Sequence, residues 1–314
     1  MAVTVVGSIA FDTVATPSGR RERMVGGAAT HFALAASFFD EVRVVGPVGD
    51  DFDDDAYALL GTREIVTDDV ERVPGGKSFF WAGEYGWDLN SRETLDTQLG
   101  VFATFRPKLS APSRQADVLF LANIQPALQR DVLEQCERAR FVALDSMNLW
   151  IDIARDDLVD VISKGVDCLI LNDAELRQLT GRPTLVAAAR EALSWGPSSV
   201  VAKQGEYGAA LLTGDGFFAL PAYPLESVVD PTGAGDTFAG GFVGYLSQHL
   251  DEVGDAATLR RAMAYGTALA SFNVEEFGTD RVARLTADEL HERVADLQHM
   301  TWTPPIRSAS HAEL

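Results

Sequence analysis

Asp230-Pro231-Thr232-Gly233-Ala234-Gly235-Asp236-Thr237-Phe238-Ala239-Gly240-Gly241-Phe242 is the stretch whose reading decides the fold. The Gly-Ala-Gly segment carries no large side chain, so its consecutive backbone N–H groups are uncovered. Phe238, Phe242 and Tyr245 follow at i, i+4, i+7, the spacing of one helix face. The turn is therefore predicted to open a helix N-terminus, where free N–H groups and the helix dipole favour an anion. A carboxylate, Asp236, stands at that site. Such a placement is electrostatically wasteful unless the carboxylate takes a proton from a group about to attack the anion. Two plainer readings compete. An Asp in a first helical turn is favourable without any function. A dinucleotide fingerprint would need a third Gly where Phe238 stands.

Outward from this stretch, short apolar β-branched runs recur at Val3–Val6, Val42–Val45, Val118–Leu121, Phe141–Leu144, Cys168–Leu171 and Val200–Ala202. Helix-like stretches at Ala28–Phe39, Leu128–Arg138, Leu185–Trp195 and Ala256–Phe272 lie between or after them. The alternation predicts an α/β fold with a mostly parallel central sheet covered on both faces. Ligands of such sheets gather at the C-terminal strand ends. Gly7, Asp12, Asn172 and Lys203 all lie there, and Ala122–Gln125 and Asp145–Asn148 end strands nearby without an assignable role. Two segments break the alternation. Thr13–Met24 holds a Pro17-Ser18-Gly19 turn, and Arg72–Phe105 is rich in aromatics punctuated by Gly75-Gly76, Gly83 and Asn90. Both are expected to form a small separate β-sheet, the alternative being an ordinary hairpin packed on the core.

Five short motifs, in order, resemble the ribokinase-like family, the PfkB carbohydrate kinases. They are Gly7-Ser8-Ile9-Ala10-Phe11-Asp12, Gly26-Gly27-Ala28-Ala29-Thr30-His31, Asn172-Asp173-Ala174-Glu175, Lys203-Gln204-Gly205-Glu206-Tyr207-Gly208 and the opening stretch. The resemblance implies a three-layer kinase core at 1–12, 25–71 and 106–300. It implies a β lid over the acceptor at 13–24 and 72–105, with a tail at 301–314. ATP and Mg²⁺ are the implied cofactors. Asp236 would be the base, and Gly233, Ala234 and Gly235 the anion hole. Asn172, Glu175, Lys203, Gly205, Gly208 and Gly278 would face the nucleotide, with Glu175 orienting water on Mg²⁺. Asp12, Gly26, Gly27 and His31 would face the acceptor. Asp230 and Thr232 match positions near a monovalent-cation site in some relatives, which adds K⁺ to the expected cofactors. The chain departs from ribokinase itself at Ala10 and His31, where ribokinase carries Asn. Ribose therefore cannot be held in the same way. The expected activity is ATP-dependent phosphorylation of a hydroxyl on a small sugar or polyol. A nucleoside kinase and a catalytically silent ligand-binding relative are the alternatives. Relatives often dimerise, so pairing of two copies through the lid is an expectation.

Composition narrows the partners. The chain has 314 residues, 46% hydrophobic, and a formal net charge of −20. That suits one large domain and disfavours nucleic acid and anionic membranes, both polyanions. Cys136 and Cys168 lack metal-ligand spacing and read as reduced core residues. The N-terminus reads as a first strand and no apolar run approaches a membrane span, so the cytoplasm is the expected location. Gly76-Lys77-Ser78 lacks the upstream Gly of a phosphate loop, since Glu71 stands there. The acidic run Asp50–Asp55 reads as a solvated helix start, and Asn172 with Glu175 also fits a capping pair.

Overall fold

A computed structural model describes residues 1–63, 65–136 and 138–303. Thirteen strands form in chain order: β1 (Ala2–Val6), β2 (Ala10–Thr16), β3 (Gly19–Gly26), β4 (Glu41–Val48), β5 (Ile65–Arg72), β6 (Phe79–Tyr85), β7 (Arg92–Gln98), β8 (Val118–Leu121), β9 (Phe141–Leu144), β10 (Cys168–Asn172), β11 (Ser199–Lys203), β12 (Ala209–Thr213) and β13 (Phe217–Leu220). Nine of them build one sheet in the order β13-β12-β11-β10-β9-β8-β1-β4-β5. Neighbours from β5 through to β11 run parallel, and β12 and β13 return antiparallel at one edge.

The apolar strands β8 and β9, and β10 up to Leu171, are covered on both faces, as their composition requires. One face packs on helices Ala28–Ala36, Ala234–Ser247 and Ala256–Asn273, through Phe32, Phe242 and Leu269. The other packs on the helices at Pro126–Gln135, Arg155–Ser163 and Asp173–Thr180, through Val132, Val161 and Leu176. This is the expected three-layer arrangement. Among the described residues no helix is long and apolar enough to cross a membrane.

The remaining four strands form a second sheet, β3-β2-β6-β7. Both aberrant segments feed it, but their limits differ from those read in the sequence. The small sheet begins at Ala10, because β2 starts only three residues after β1 ends. Arg72 instead closes β5 of the large sheet, paired with Val48. The acidic run starts a helix as expected: Asp53 caps Asp54–Leu60, its carboxylate accepting from the Ala56 N–H at 3.0 Å. Asp50 and Asp51 instead tie the loop before β6, accepting from the Gly75 and Ser78 N–H groups. Cys136 and Cys168 are buried and free. Most of the tail expected at 301–314 lies outside the described residues.

Candidate active site

The Gly-Ala-Gly turn does open a helix. Gly233 is the cap residue, with φ 75°, and Ala234–Ser247 follows. A side chain at Gly233 would be strained in that left-handed conformation. It would also collide with the His31 imidazole, 2.3 Å from its Cε1. The Ala234 N–H donates back to the Pro231 carbonyl at 3.3 Å, while the Gly233 and Gly235 N–H groups have no acceptor among the described residues. Asp236 occupies the first turn.

Strand ends of the large sheet bring the partners. β11 ends at Lys203, whose ammonium pairs with Asp145 at 3.1 Å. Lys203 Nζ lies 3.0 Å from where a Cβ on Gly235 would stand, so the lysine reaches the Gly-Ala-Gly turn. β10 ends at Asn172, and Asn172 with Glu175 forms a complete capping box. The Asn172 Oδ1 accepts from the Glu175 N–H at 2.7 Å, and the Glu175 carboxylate accepts from the Asn172 N–H at 2.9 Å. Gly205–Tyr207 forms a 3₁₀ turn closed by the Gly208 N–H donating to the Gly205 carbonyl.

These charges perturb one another. Burial, then the Asp145 charge, pushes Asp236 up to about 7 despite the opposing Lys203. Burial, then Asp145, likewise raises Glu175 to about 7. Burial raises Asp145 as well, against the pull of Lys203. Burial alone would depress Lys203, but Asp145, Glu175 and Asp236 together hold it above the usual lysine range. One lysine therefore serves three carboxylates, a state that favours cations and proton exchange near neutral pH.

A second group of residues faces this one. Asp12 is buried on β2, and burial followed by the Asp230 charge raises it to about 7. Gly26 leaves it room, since a Cβ there would fall 2.0 Å from Asp12 Oδ2. Gly27 adopts φ 93° where any Cβ would meet the Ser8 carbonyl oxygen at 2.5 Å. Fully buried Asp230 accepts from the Thr232 N–H at 2.9 Å and the Gly278 N–H at 3.0 Å. Gly278 is thus tied to the Asp230 side of the cleft. His31 is buried beneath the turn. Its Nδ1 meets Asn273 Oδ1 at 3.1 Å, its Nε2 has no partner among the described residues, and burial holds its pKa below the ordinary value. Asn273 also accepts from the Thr237 hydroxyl and donates to the Thr232 carbonyl, so it braces both ends of the turn.

Two side-chain contacts join the β6–β7 hairpin to this region. The Thr232 hydroxyl donates to the Tyr85 hydroxyl at 3.3 Å, and Asn90 donates to the Glu206 carboxylate at 3.1 Å. Among the described residues no cluster of three His, Cys, Asp or Glu side chains could hold a metal by itself. Mg²⁺ takes one or two carboxylates together with phosphate oxygens and waters, and Glu175 beside Lys203 is a carboxylate of that type. Asp145 and Asn273 had no role in the sequence reading. The position of Asp145 at a strand end was the only available signal, and Asn273 gave none.

A family model, pfkB family carbohydrate kinase, matches residues 2–284. The chain is 32% identical over 253 residues to the cytidine kinase of Thermococcus kodakarensis, covering 78% of this chain and 88% of that protein. It is similar in fold to a Burkholderia thailandensis nucleoside kinase in complex with inosine, with TM-score 0.75, 20% identity, and 96% and 100% of the two chains covered. It is also similar to an E. coli putative ribokinase II in complex with ATP and Mg²⁺, with TM-score 0.74, 18% identity, and 94% and 99% covered. The chain belongs to the pfkB family of carbohydrate kinases. It is a phosphotransferase with an alcohol group as acceptor, and kinases of this family use ATP with Mg²⁺.

Proposed function

We propose that the chain transfers the γ-phosphate of ATP to a hydroxyl of a small sugar or polyol, with Asp236 as general base. One observation carries this reading: Asp236 stands in the first turn of a helix whose Gly233 and Gly235 N–H groups have no acceptor among the described residues, and burial pushes its carboxyl up to about 7. The acceptor oxygen forms a bond to the γ-phosphorus as its proton passes to Asp236. The bond from phosphorus to the β,γ-bridging oxygen breaks, and its electron pair leaves on ADP. The Gly233 and Gly235 N–H groups, with that of Ala234 shared with Pro231, stabilise the equatorial oxygens in transit.

Asp12 accepts hydrogen bonds from acceptor hydroxyls, beside Gly26 and Gly27. His31 buttresses Gly233 from below, so its contribution to acceptor choice is made through the turn. Lys203, Asn172, Gly205 and Gly208 line the nucleotide side in this reading, whereas Gly278, expected there, is held by Asp230. Mg²⁺, when bound, would neutralise charge on the phosphate oxygens, and Glu175 would be the residue that orients its water. Asp230 and Thr232 are the groups that would respond to K⁺. The small sheet serves as a lid that excludes water.

A nucleoside acceptor is the second reading, and Trp81 favours it. Trp81 pairs in register with Asp12 on the adjacent strand, so an acceptor held by Asp12 meets an indole. The likeness to a cytidine kinase supports the same reading.

The test is ADP release with Mg·ATP against sugars, polyols, inositols and nucleosides. The Asp236→Asn variant should lose roughly 10²–10⁴-fold in kcat while still binding ATP. Near-normal turnover in that variant would sink the proposed base.

A further inference from the structure

One buried amide behind the site holds an edge of it in place. Gln129 lies on the helix Pro126–Gln135 beside Leu128 and Val132, and is fully buried. A residue there for packing alone would be apolar like those neighbours. Its Nε2 instead donates to the Ala122 and Asp145 carbonyls, each at 2.9 Å, with the Leu121 carbonyl at 3.4 Å. Among the described residues the Ala122 and Asp145 carbonyls accept from no other donor. The Gln129 Oε1 has no partner among them. A buried acceptor left unpaired is costly, so what this residue contributes is its pair of N–H donors.

The two carbonyls stand where the large sheet opens. β8 and β9 pair up to Leu121 and Leu144, and the Asp145 N–H adds one bond more, to the Leu121 carbonyl at 2.9 Å. β9 pairs with β10 only at Ala143 and Leu144, whereas β10 follows β11 out to Asn172 opposite Lys203. Past Leu144 the ladder between β9 and β10 has ended, and the Lys203 ammonium crosses that opening to Asp145. The Asp145 Oδ1 accepts from the Ser146 N–H at 2.8 Å, and its Oδ2 takes Lys203 at 3.1 Å. Without the Gln129 amide the Asp145 carbonyl loses its tie to β8, and the carboxylate that anchors the lysine is free to shift.

We propose that Gln129 is a positioning residue for phosphoryl transfer: by pinning the end of β9 to β8 it sets where Asp145 holds Lys203, and so keeps the lysine beside the Gly-Ala-Gly turn. The inference rests on the kinase reading above. When Asp145 is displaced, Lys203 turns to Asp236, which already attracts it, and neutralises the base it should leave free.

The experiment compares wild type with Gln129→Met, which keeps the length without the donors, and Gln129→Asn, which keeps the donors one methylene short. Val132→Ala, on the same helix face, is the control for lost packing. In the full chain without ligands, exchange of the Asp145 and Ser146 amides is followed by NMR. Both Gln129 variants should speed it at least about tenfold, while amides within Leu119–Leu121 and Val142–Leu144 exchange as in wild type. Val132→Ala should speed all of them alike. With an acceptor that the wild type phosphorylates, Gln129→Met should lower kcat roughly 10–100-fold and leave the ATP KM within about threefold. A double-mutant cycle separates position from packing: in an Asp145→Asn background Gln129→Met should cost nothing further in kcat. Unchanged exchange at Asp145 overturns the proposal, as do losses that multiply in the cycle. Near-normal kcat in Gln129→Met beside an active wild type removes this inference alone. A wild type that binds no nucleotide removes the kinase reading and this inference with it.

Discussion

The pH at which this enzyme gains activity should be set by Asp236. A general base acts only when unprotonated, so kcat/KM, measured with both substrates well below saturation, should follow its ionised fraction. With Asp236 at about 7, roughly half the molecules are competent at pH 7, about a tenth at pH 6 and about nine-tenths at pH 8. The informative perturbation is Asp145→Asn. After burial, the Asp145 charge is the next largest cause of the raised Asp236 value, with Lys203 opposing it. The substitution removes that repulsion. It also weakens the hold on Lys203, whose ammonium lies 3.1 Å from Asp145, and leaves it freer to serve Asp236. Both effects lower the Asp236 pKa. In a cleft partly open to water the combined effect is discounted to about one pH unit, or about 1.4 kcal/mol. The acid limb should then fall near pH 6. At that pH the variant should retain about half of its own plateau, roughly a fivefold gain in relative rate over wild type. The assay is a coupled measurement of ADP release in buffers of constant ionic strength. A limb that stays at pH 7 refutes the assignment to Asp236. Asp12 also sits at about 7, but its causes are burial, Asp230 and Asp236, so a limb belonging to Asp12 would not move. A limb belonging to Glu175 would vanish in Glu175→Gln.

Three further outcomes are expected. Without ligands, thermal stability should rise as pH falls from 8 to 6.5, by roughly 0.5–1 kcal/mol for each of Asp12, Glu175 and Asp236. The sign follows because their folded pKa values, about 7, lie above the ordinary 3.8 to 4.5. The folded state therefore binds protons in this window that the unfolded chain does not, and scanning calorimetry showing a lower Tm at pH 6.5 would contradict it. Gly27→Ala should cost about 2 kcal/mol or more in denaturant unfolding, since φ is 93° and the Cβ would lie 2.5 Å from the Ser8 carbonyl oxygen; an unshifted midpoint would show that the loop yields. Phe242→Ala, at a fully buried position on the helix after the anion hole, should cost about 3–5 kcal/mol, and a loss below 1 kcal/mol would mean the core there collapses around the gap.

The sequence was most legible where one period dominates. Val118–Leu121 and Phe141–Leu144 are wholly apolar runs, and both strands begin and end at those residues. The antiparallel edge, β12 and β13, went unread. Ala209–Thr213 opens on two alanines and carries no β-branched apolar residue, and Phe217–Leu220 is short with two of its four residues exposed. β5 was hidden differently: Asp68, Asp69, Glu71 and Arg72 lie on an edge strand, where charge is tolerated because one side faces solvent. The motif glycines pointed correctly to a turn and to close packing. What sequence could not give is which carboxylate shares Lys203, since Asp145 and Lys203 come from different strands and meet only through sheet order. The burial of His31 against Gly233 depends on how two helices pack, which no local pattern shows.

The small sheet also bears on how the chain folds. Its central pair joins Ala10 with Phe79 and continues in parallel to Ala15 with Glu84, so it cannot form until two intervening helices and two large-sheet strands have returned the chain. Every residue of β7 is exposed and most of β3 is too, so little apolar area rewards that late closure. Native-state hydrogen exchange should therefore show two cooperative units. Amides of β3, β6 and β7 should exchange through a low-energy opening while those of β8, β9 and β10 wait for global unfolding. β2 belongs to both units, because three residues join it to β1, and its amides should record the boundary between them.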